Sequence, residues 1–371
     1  MNIQMVDLKR QYKKYQAEFD QAIRGVMESA QYINGPDVRL FAEEMQRYLG
    51  VQYAIPCANG TDALQIALMS LDIKPGDEVI TTPFTFIATA ETIALLGARP
   101  VYVDIDEKTY NIDPNRIEDA ITPKTRAIIP VHLYGQPADM DPILEVAARH
   151  NLAVIEDAAQ AVGSTYKGKA VTTFGQLGCI SFFPSKNLGA AGDAGMIVTN
   201  DEHLAKKARM IANHGSQRRY QHEILGVNSR LDSLQAAILR IKLKYLDEWN
   251  KKRREIARYY NQGFQNAPVQ TPYAADYGYH IYHQYTIQVE NRDGLQERLN
   301  SRGIPHAVHY PIPLHLQPAF RELCGYREGD FPVAERAAKR VISLPMHPEL
   351  TREEQDYIIE VVQTFVTHQA E

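Results

Sequence analysis

The 371-residue chain has few cysteines and lacks the residue patterns of disulfide-rich, metal-binding and membrane proteins. It has only 3 cysteines, and an odd number without paired spacing is typical of a reducing compartment. No cluster of cysteine and histidine has the spacing of zinc ligands, so no metal site is expected. Runs of about 18 apolar residues are missing, and the first residues lack the apolar region of a signal peptide. We therefore expect a cytoplasmic protein without membrane insertion.

The chain also lacks a large excess of charge of either sign. The chain has 40 Lys and Arg against 45 Asp and Glu, a net charge of −5, and its basic residues are scattered. This balance provides no basic field for nucleic acid, so no nucleic-acid partner is predicted. Apolar residues are plentiful at 44%, and the length suits one large domain plus a smaller one.

The stretch CISFFPSKNLG, residues 179–189, places one lysine between an apolar strand-like run and a glycine. A desolvated lysine loses its proton more easily, and the neutral amine can attack an aldehyde. An isolated lysine more often leaves a strand and points into water. The choice between these readings of Lys186 depends on the residues around it.

Two further stretches supply such residues. LAVIEDAAQ, residues 152–160, predicts a buried strand that ends at Asp157, where ligands of open α/β sheets bind, with Gln160 close behind. Asp157 could pair with a protonated ring nitrogen or simply cap the next helix. CANGTDALQIA, residues 57–67, predicts a strand, a turn and a helix start at Gly60 and Thr61. That start could bind a phosphate or be an ordinary cap.

Short apolar strands alternate with helices over most of the chain, which indicates an α/β fold with a largely parallel sheet. We predict seven strands in a large domain: Tyr53–Cys57, Glu78–Thr82, Arg99–Val103, Ala127–Val131, Ala153–Asp157, Cys179–Phe183 and Gly195–Thr199. A long helix from Ser233 to about Phe264 should lead into a small α+β domain. Its expected elements are strands Tyr282–Val289 and Ala307–Tyr310 and helices Gly294–Ser301, Val333–Val341 and Glu353–Phe365. We place the division at residues 1–250 and 251–371.

The motifs CANGTDAL, IEDAAQAVG, SFFPSKNLG and GVNSRLD, in this order, resemble the DegT/StrS-type sugar aminotransferases. The resemblance covers essentially the whole chain. It implies the fold of type I aminotransferases and pyridoxal 5′-phosphate as the cofactor. Sugar dehydratases of this fold replace the lysine with histidine, so retention of Lys186 favours amino transfer.

The resemblance also implies a role for each site residue. Lys186 would bind the cofactor covalently and act as the general base. The remaining expected cofactor contacts are Asp157 to the ring nitrogen, Gln160 to the ring oxygen, Phe86 on the ring face, Gly60, Thr61 and Ser181 at the phosphate, and Asn228 from a neighbouring subunit. The last contact predicts a homodimer with shared active sites.

Substrate contacts are expected from two other segments. The polar segment 213–222 could be a solvated loop or a lid that brings Arg230 to an anionic substrate group, which a guanidinium grips with two hydrogen bonds. HYPIPLH and SLPMHP resemble family segments that line the sugar site, so His309 and Tyr310 are predicted substrate contacts. His315 and His347 are expected to be structural, as most lone histidines are.

The expected substrates are L-glutamate and a nucleotide-linked keto sugar. The NSRLD form of the fourth motif resembles the branch that aminates C3, and the whole chain resembles the UDP-2-acetamido-2-deoxy-3-oxo-D-glucuronate aminotransferases of O-antigen synthesis. Two alternatives remain open. The substrate could be a dTDP- or UDP-keto-6-deoxyhexose aminated at C3 or C4, or the chain could be a non-catalytic regulator or scaffold that keeps the fold.

Overall fold

A computed structural model describes residues 1–368 of the chain. Its strands are β1 Tyr53–Cys57, β2 Glu78–Thr81, β3 Arg99–Tyr102, β4 Thr125–Ile128, β5 Ala153–Asp157, β6 Thr165–Tyr166, β7 Lys169–Ala170, β8 Leu177–Ser181, β9 Gly195–Thr199, β10 Ser216–Arg218, β11 Gln221–His222, β12 Gly278–Tyr279, β13 Tyr285–Gln288 and β14 Val341–Leu344. Its α-helices are α1 Leu8–Ser29, α2 Pro36–Leu49, α3 Gly60–Ser70, α4 Ala88–Leu95, α5 Met140–Arg149, α6 Glu202–Ala212, α7 Ser233–Leu243, α8 Leu246–Gly263, α9 Arg292–Ser301, α10 Pro318–Cys324, α11 Pro332–Arg340 and α12 Arg352–His368.

The predicted sheet is present, with the strand order β1-β9-β8-β5-β4-β2-β3. Neighbours from β8 to β3 run parallel, whereas β9 is antiparallel to both β1 and β8. Six of these strands therefore point the same way and end at one edge. The amino end of β9 reaches that edge too, because Gly195 pairs with both Cys57 and Ser181.

Helices cover both faces of this sheet, so its strands are buried on both sides. Alternation along β9 shows the two layers: Ile197 packs into a core with α3 and α6, whereas Met196 and Val198 pack into a second core with α2 and α7. Two-sided burial explains why the strands read as continuous apolar runs in the sequence.

Helix α8 passes from the large layers into a separate C-terminal core. Its first residue, Leu246, packs against the sheet core, whereas Tyr260 belongs to a cluster with β13 and α12. The predicted division at residue 250 falls inside this helix. Ile3, at the start of the chain, also packs into the C-terminal core.

Two predicted elements were wrong. The helix expected over 233–264 is two helices, α7 and α8, which are separated at Tyr245. Contacts with α1 hold Tyr245 at this break: its ring centre lies 4.2 Å from that of Tyr15, and its hydroxyl donates a hydrogen bond to Glu18. The strand expected over Ala307–Tyr310 is only a single bridge from Ala307 to Ser343. Pro311 directly follows Tyr310 and has no backbone N–H with which to extend the ladder.

Over residues 1–368, every helix is too short or too polar to cross a bilayer. The same range contains no group of three or more side chains arranged to hold a metal ion.

Candidate active site

A cavity of about 630 Å³ opens at the carboxyl edge of the sheet, between the large layers and the segment before β13. Such a position is where α/β sheets bind ligands, because strand ends and helix starts meet there. Nine of the residues predicted from sequence line it: Gly60, Thr61, Phe86, Asp157, Gln160, Ser181, Lys186, His309 and Tyr310.

Lys186 lies in a tight turn after β8. Its backbone N–H donates to the carbonyl of Phe183 at 2.8 Å, and a Cβ on Gly189 would lie 2.3 Å from the carbonyl oxygen of Pro184. Burial lowers the pKa of the Lys186 amine to about 8, while the Asp157 carboxylate opposes that shift. Near physiological pH a far larger fraction of this amine is therefore neutral than of an ordinary lysine, and the neutral form is the one that acts as a nucleophile or base.

Asp157 ends β5 and is held by two donors. The Thr89 hydroxyl donates to its Oδ2 at 2.8 Å, and the backbone N–H of Ala159 donates to its Oδ1 at 3.1 Å. Burial raises the pKa of Asp157, whereas both donors and the Lys186 charge lower it. A buried carboxylate aimed at a cavity can pair with a cationic ring nitrogen.

Gln160 is fixed in orientation by two neighbours. Its Oε1 accepts from the backbone N–H of Tyr134 at 2.7 Å, and its Nε2 donates to the Tyr310 hydroxyl at 3.0 Å. Because an amide NH₂ has two protons, the second can reach an oxygen in the cavity. This arrangement is compatible with the predicted contact to a ring oxygen.

The start of α3 forms a cradle for an anion. Asn59 caps the N–H of Asp62 at 2.8 Å, which leaves the earlier amides of Gly60 and Thr61 at the helix end. Gly60 also passes so close to β8 that an added Cβ would lie 2.6 Å from the Cβ of Ser181. The small residues therefore bring backbone N–H groups and the Ser181 hydroxyl to one point, which fits a phosphate.

Aromatic side chains form the other walls. Phe86 is 54% exposed although it is large and apolar, and its ring centre lies 6.3 Å from that of Tyr310. His309 shares a hydrogen bond of 2.9 Å with the Ser343 hydroxyl, and burial followed by the Lys186 charge lowers its pKa to about 4. The half-exposed Phe86 ring is free to stack on a planar ligand.

Thirteen lining residues were not predicted as site residues from the sequence, and their polar members include Thr85, Thr89, Ser185, Asp193, His283 and Gln284. Thr89 lies on α4 but Thr85 precedes that helix, so helical spacing did not link the two hydroxyls in the sequence. His283 had no signal either, because it precedes a strand that is otherwise buried.

A chain of buried amides fixes His283. Asn250 donates from Nδ2 to the Val162 carbonyl at 3.2 Å, so its Oδ1 accepts from Asn187 Nδ2 at 2.7 Å. The Oδ1 of Asn187 then faces His283 Nδ1 at 3.2 Å. Because that oxygen can only accept, Nδ1 carries the proton and Nε2 keeps a lone pair. Burial, and then Lys186, hold the pKa of His283 well below its usual value.

Asn228 and Arg230 do not line this cavity. They lie on the segment after β11, where Asn228 pairs with Asn213 and is exposed. Arg230 instead lines a separate cleft with Asn34 and Arg209. Their predicted roles across a subunit boundary stay predictions.

The donor set fits pyridoxal phosphate. An amine of lowered pKa, a carboxylate, an exposed aromatic face and a helix-start cradle surround one cavity that is large enough for the cofactor and part of a second molecule. Each group matches one part of the cofactor: the aldehyde, the ring nitrogen, the ring face and the phosphate.

Comparison with known proteins confirms the resemblance seen in the motifs. The pattern of the DegT/DnrJ/EryC1/StrS aminotransferase family matches residues 13–363. The pleiotropic regulatory protein of Geobacillus stearothermophilus is 51% identical over 99% of this chain and 100% of its own. The UDP-2-acetamido-2-deoxy-3-oxo-D-glucuronate aminotransferase of Pseudomonas aeruginosa is 50% identical over 94% of this chain and 96% of its own.

A solved structure confirms the predicted fold. DesV of S. venezuelae, in complex with a ketimine intermediate, superposes with a TM-score of 0.96 at 43% identity and covers 98% of both chains. The family match extends from the sheet cores into the C-terminal core, and the cavity carries the groups that the cofactor of the family needs. The chain therefore belongs to the DegT/DnrJ/EryC1/StrS family of pyridoxal phosphate-dependent aminotransferases.

Proposed function

We propose that this enzyme transfers an amino group from L-glutamate to the keto group of a nucleotide-linked sugar. The observation that carries the proposal is the Lys186 amine, with a pKa lowered to about 8, in one cavity with the Asp157 carboxylate. An aminotransferase needs one base that removes a proton in the first half-reaction and returns it in the second. Retention of a lysine, rather than a histidine, supports transfer over dehydration.

The residues of the cavity divide the work. Bound pyridoxal phosphate supplies the electron sink and carries the nitrogen between the two half-reactions. Lys186 takes the α-proton of glutamate and later delivers a proton to the sugar carbon. Asp157 holds the cofactor ring nitrogen in its charged form, and the amides of Gly60 and Thr61 anchor the phosphate. Phe86 covers one ring face and excludes water.

The favoured substrate is UDP-2-acetamido-2-deoxy-3-oxo-D-glucuronate, aminated at C3. The Pseudomonas aeruginosa relative carries this activity in its name and is half identical to the present chain over nearly its whole length. The 3-amino product suits O-antigen and lipopolysaccharide synthesis. In this proposal Arg230 pairs with the uronate carboxylate, since its planar fork matches two carboxylate oxygens.

A panel of keto sugars tests the proposal. The purified enzyme is incubated with L-glutamate and UDP- or dTDP-linked 3-keto and 4-keto sugars, and the new amine is located by NMR. We expect 2-oxoglutarate and a C3 amine with the UDP-3-keto-glucuronate, and neither with Lys186→Ala. Preference for a 6-deoxyhexose would move the assignment to the alternative substrate, and no turnover with any sugar would overturn amino transfer to sugars.

Arg230 is tested separately. We expect Arg230→Ala to reduce turnover of the uronate far more than turnover of its uncharged hexose counterpart, because only the uronate loses an ion pair. Equal losses on both sugars would exclude the carboxylate contact while leaving the reaction type intact.

A regulatory role is the alternative from another class, and the name of the Geobacillus stearothermophilus relative is the observation that favours it. A regulator without catalysis has no need for an amine of lowered pKa beside a buried carboxylate, yet both are kept. Borohydride reduction of the native protein distinguishes the two. We expect a pyridoxyl label on Lys186, and an unlabelled protein that stays colourless with added cofactor would favour the regulator.

Two further parts of the proposal concern assembly and location. A homodimer would bring Asn228 and Arg230 to the cavity of the neighbouring subunit. Leu225, near them in sequence, is 91% exposed in the single chain, and an apolar side chain this exposed supports a surface that a partner subunit covers. The enzyme would act in the cytoplasm, because Cys57, Cys179 and Cys324 are free thiols, as a reducing compartment allows.

A further inference from the structure

Two threonine hydroxyls form a short series of hydrogen bonds that ends at the Asp157 carboxylate. Thr89, on α4, donates to Asp157 Oδ2 at 2.8 Å, and its hydroxyl lies 3.2 Å from that of Thr85. Thr85 is 3% exposed and Thr89 is fully buried, so water does not compete for either hydroxyl. Both side chains also line the cavity that contains Lys186.

The direction of these hydrogen bonds follows from the carboxylate. An ionised carboxylate only accepts, so the proton of Thr89 points at Asp157 and Thr85 must donate to Thr89. Together with the N–H of Ala159, each carboxylate oxygen then has one donor. Donors to a charged group favour the charged form, which here counters the rise in the Asp157 pKa that burial causes.

Other groups around Asp157 do not replace these donors. Lys186 and Tyr310 face the carboxylate from the cavity, His132 lies behind it, and the Cys179 thiol is its register neighbour on β8. His132 is committed elsewhere, since its Nε2 pairs with Glu156 at 3.0 Å and its Nδ1 accepts from the N–H of Ala138. The side-chain hydroxyl that reaches the carboxylate is that of Thr89.

We propose that Thr89, supported by Thr85, is a positioning residue that keeps the Asp157 carboxylate ionised and directed at the cofactor ring nitrogen. This inference rests on the cofactor part of the proposed function and is independent of which sugar is aminated. It assigns a function to the hydroxyls of Thr85 and Thr89 in the segment TPFTFIATAE, residues 82–91. In that segment only Phe86 was predicted from the sequence as a site residue.

The chain offers a matched control on the same helix. Thr92 is also fully buried on α4, but its hydroxyl donates to the Ala88 carbonyl at 3.0 Å and not to the carboxylate. Thr89→Val and Thr92→Val therefore make the same near-isosteric change at similar burial. Thr89→Ser keeps the hydroxyl and serves as the rescue, and Thr85→Val tests the second link.

The measurement is the affinity for pyridoxal phosphate as a function of pH, starting from enzyme stripped of cofactor. We expect Thr89→Val to weaken binding about tenfold or more at neutral pH, because a hydrogen bond to a charged group is lost. The acid limb of the binding profile should move up by about one pH unit, since the carboxylate then protonates more readily. Thr85→Val should shift it less, and Thr89→Ser should restore it.

The proposal is overturned if Thr89→Val and Thr92→Val give the same profile, whether both match the wild type or both shift. A folding defect without a positioning role would lower the melting temperature of both variants and leave the acid limb in place. Since the readout contains no sugar, a failure of the keto-sugar panel and a failure of this test are distinguishable.

Discussion

At the scale of single residues, the cavity contains side chains whose partners lie close in sequence and others whose partners are distant. Asp157 ends a predicted strand, and Gly60 and Lys186 each follow one, so their meeting at one edge could be predicted from the sequence. Thr89 could not, because its acceptor lies 68 residues further along the chain. Hydroxyl networks of this kind depend on how elements pack, which local pattern does not report.

The Lys186 amine should react as a weak base in the cofactor-free enzyme. Burial lowers its pKa to about 8, so we expect the rate of labelling by an amine-selective reagent to rise through that pH. Mass spectrometry of the labelled peptide measures this rate. The exposed Lys167, 2.6 Å from Asp141, is the internal control and should label only at higher pH, because that contact raises its pKa. A midpoint for Lys186 near that of Lys167 would contradict the prediction.

Lys186 should also reduce the stability of the cofactor-free fold at neutral pH. Because its pKa is lowered on folding, the unfolded chain binds more protons between pH 8 and 10.5, so this destabilisation is relieved as pH rises through that window. We expect Lys186→Met to raise the free energy of unfolding by about 1–3 kcal/mol at pH 7. Urea denaturation at pH 7 and pH 10 measures it. A gain that persists undiminished at pH 10 would exclude this cause.

His283 should be a neutral imidazole with its proton on Nδ1. The amide chain through Asn187 and Asn250 sets this tautomer, so we expect it in the ¹⁵N NMR spectrum of histidine-labelled enzyme. His283→Phe identifies the resonance. Asn187→Leu removes the acceptor and should destabilise the fold by about 1–3 kcal/mol, the cost of an unpaired buried donor. Finding the Nε2–H tautomer in the wild type would show that the amides are oriented the other way.

At the scale of elements, the sheet followed closely from the sequence. Strands β1, β5 and β9 have the predicted bounds, since apolar runs between turn residues are a strong signal for buried strands. The break between α7 and α8 was missed, because it depends on contacts of Tyr245 with α1. In the C-terminal region, β14 was missed because Val341 was taken as the end of α11.

Two glycines, Gly60 at the start of α3 and Gly25 inside α1, should respond in opposite ways to substitution by alanine. Gly60→Ala would place a Cβ 2.6 Å from that of Ser181, so the helix start or β8 must move. We expect weaker binding of pyridoxal phosphate and a loss of stability of about 1–3 kcal/mol. Gly25, inside α1, has open space around its Cβ position. Gly25→Ala should instead stabilise the fold by about 0.5–1 kcal/mol, measured by urea denaturation. Equal effects at both positions would contradict the close-approach argument.

At the scale of the whole molecule, the chain forms its cavity from parts that lie far apart in sequence, and the predicted assembly extends this to two chains. The C-terminal segment contributes His309 and Tyr310 to a cavity whose lysine belongs to the large layers. Asn228 and Arg230 remain outside it in a single chain. The residue pattern by itself did not separate contacts within one chain from contacts between chains, and the expected contact of Asn228 with a neighbouring subunit came only from the resemblance.

Mixing two inactive variants tests whether the sites are shared. Lys186→Ala lacks the base, and Arg230→Ala lacks the residue expected at the neighbour's cavity. If subunits exchange residues, refolding the two together should restore activity with the uronate, because each mixed dimer has one complete site. Lys186→Ala refolded with Asp157→Asn is the control, since both changes affect the same cavity and should not complement through Arg230. Sites that are complete within one chain would instead give no rescue in either mixture.

The antiparallel β9 has a consequence for how the polypeptide matures during synthesis. β1 is made early, yet its partner in the sheet is β9, so Tyr53 cannot pair until Thr199 has left the ribosome. Non-local pairing of this kind is slow, and until it is complete β1 stays unpaired and prone to aggregation. Nascent chains in which β9 has not yet left the ribosome should therefore depend on chaperones, and those in which Thr199 has emerged should be released from them.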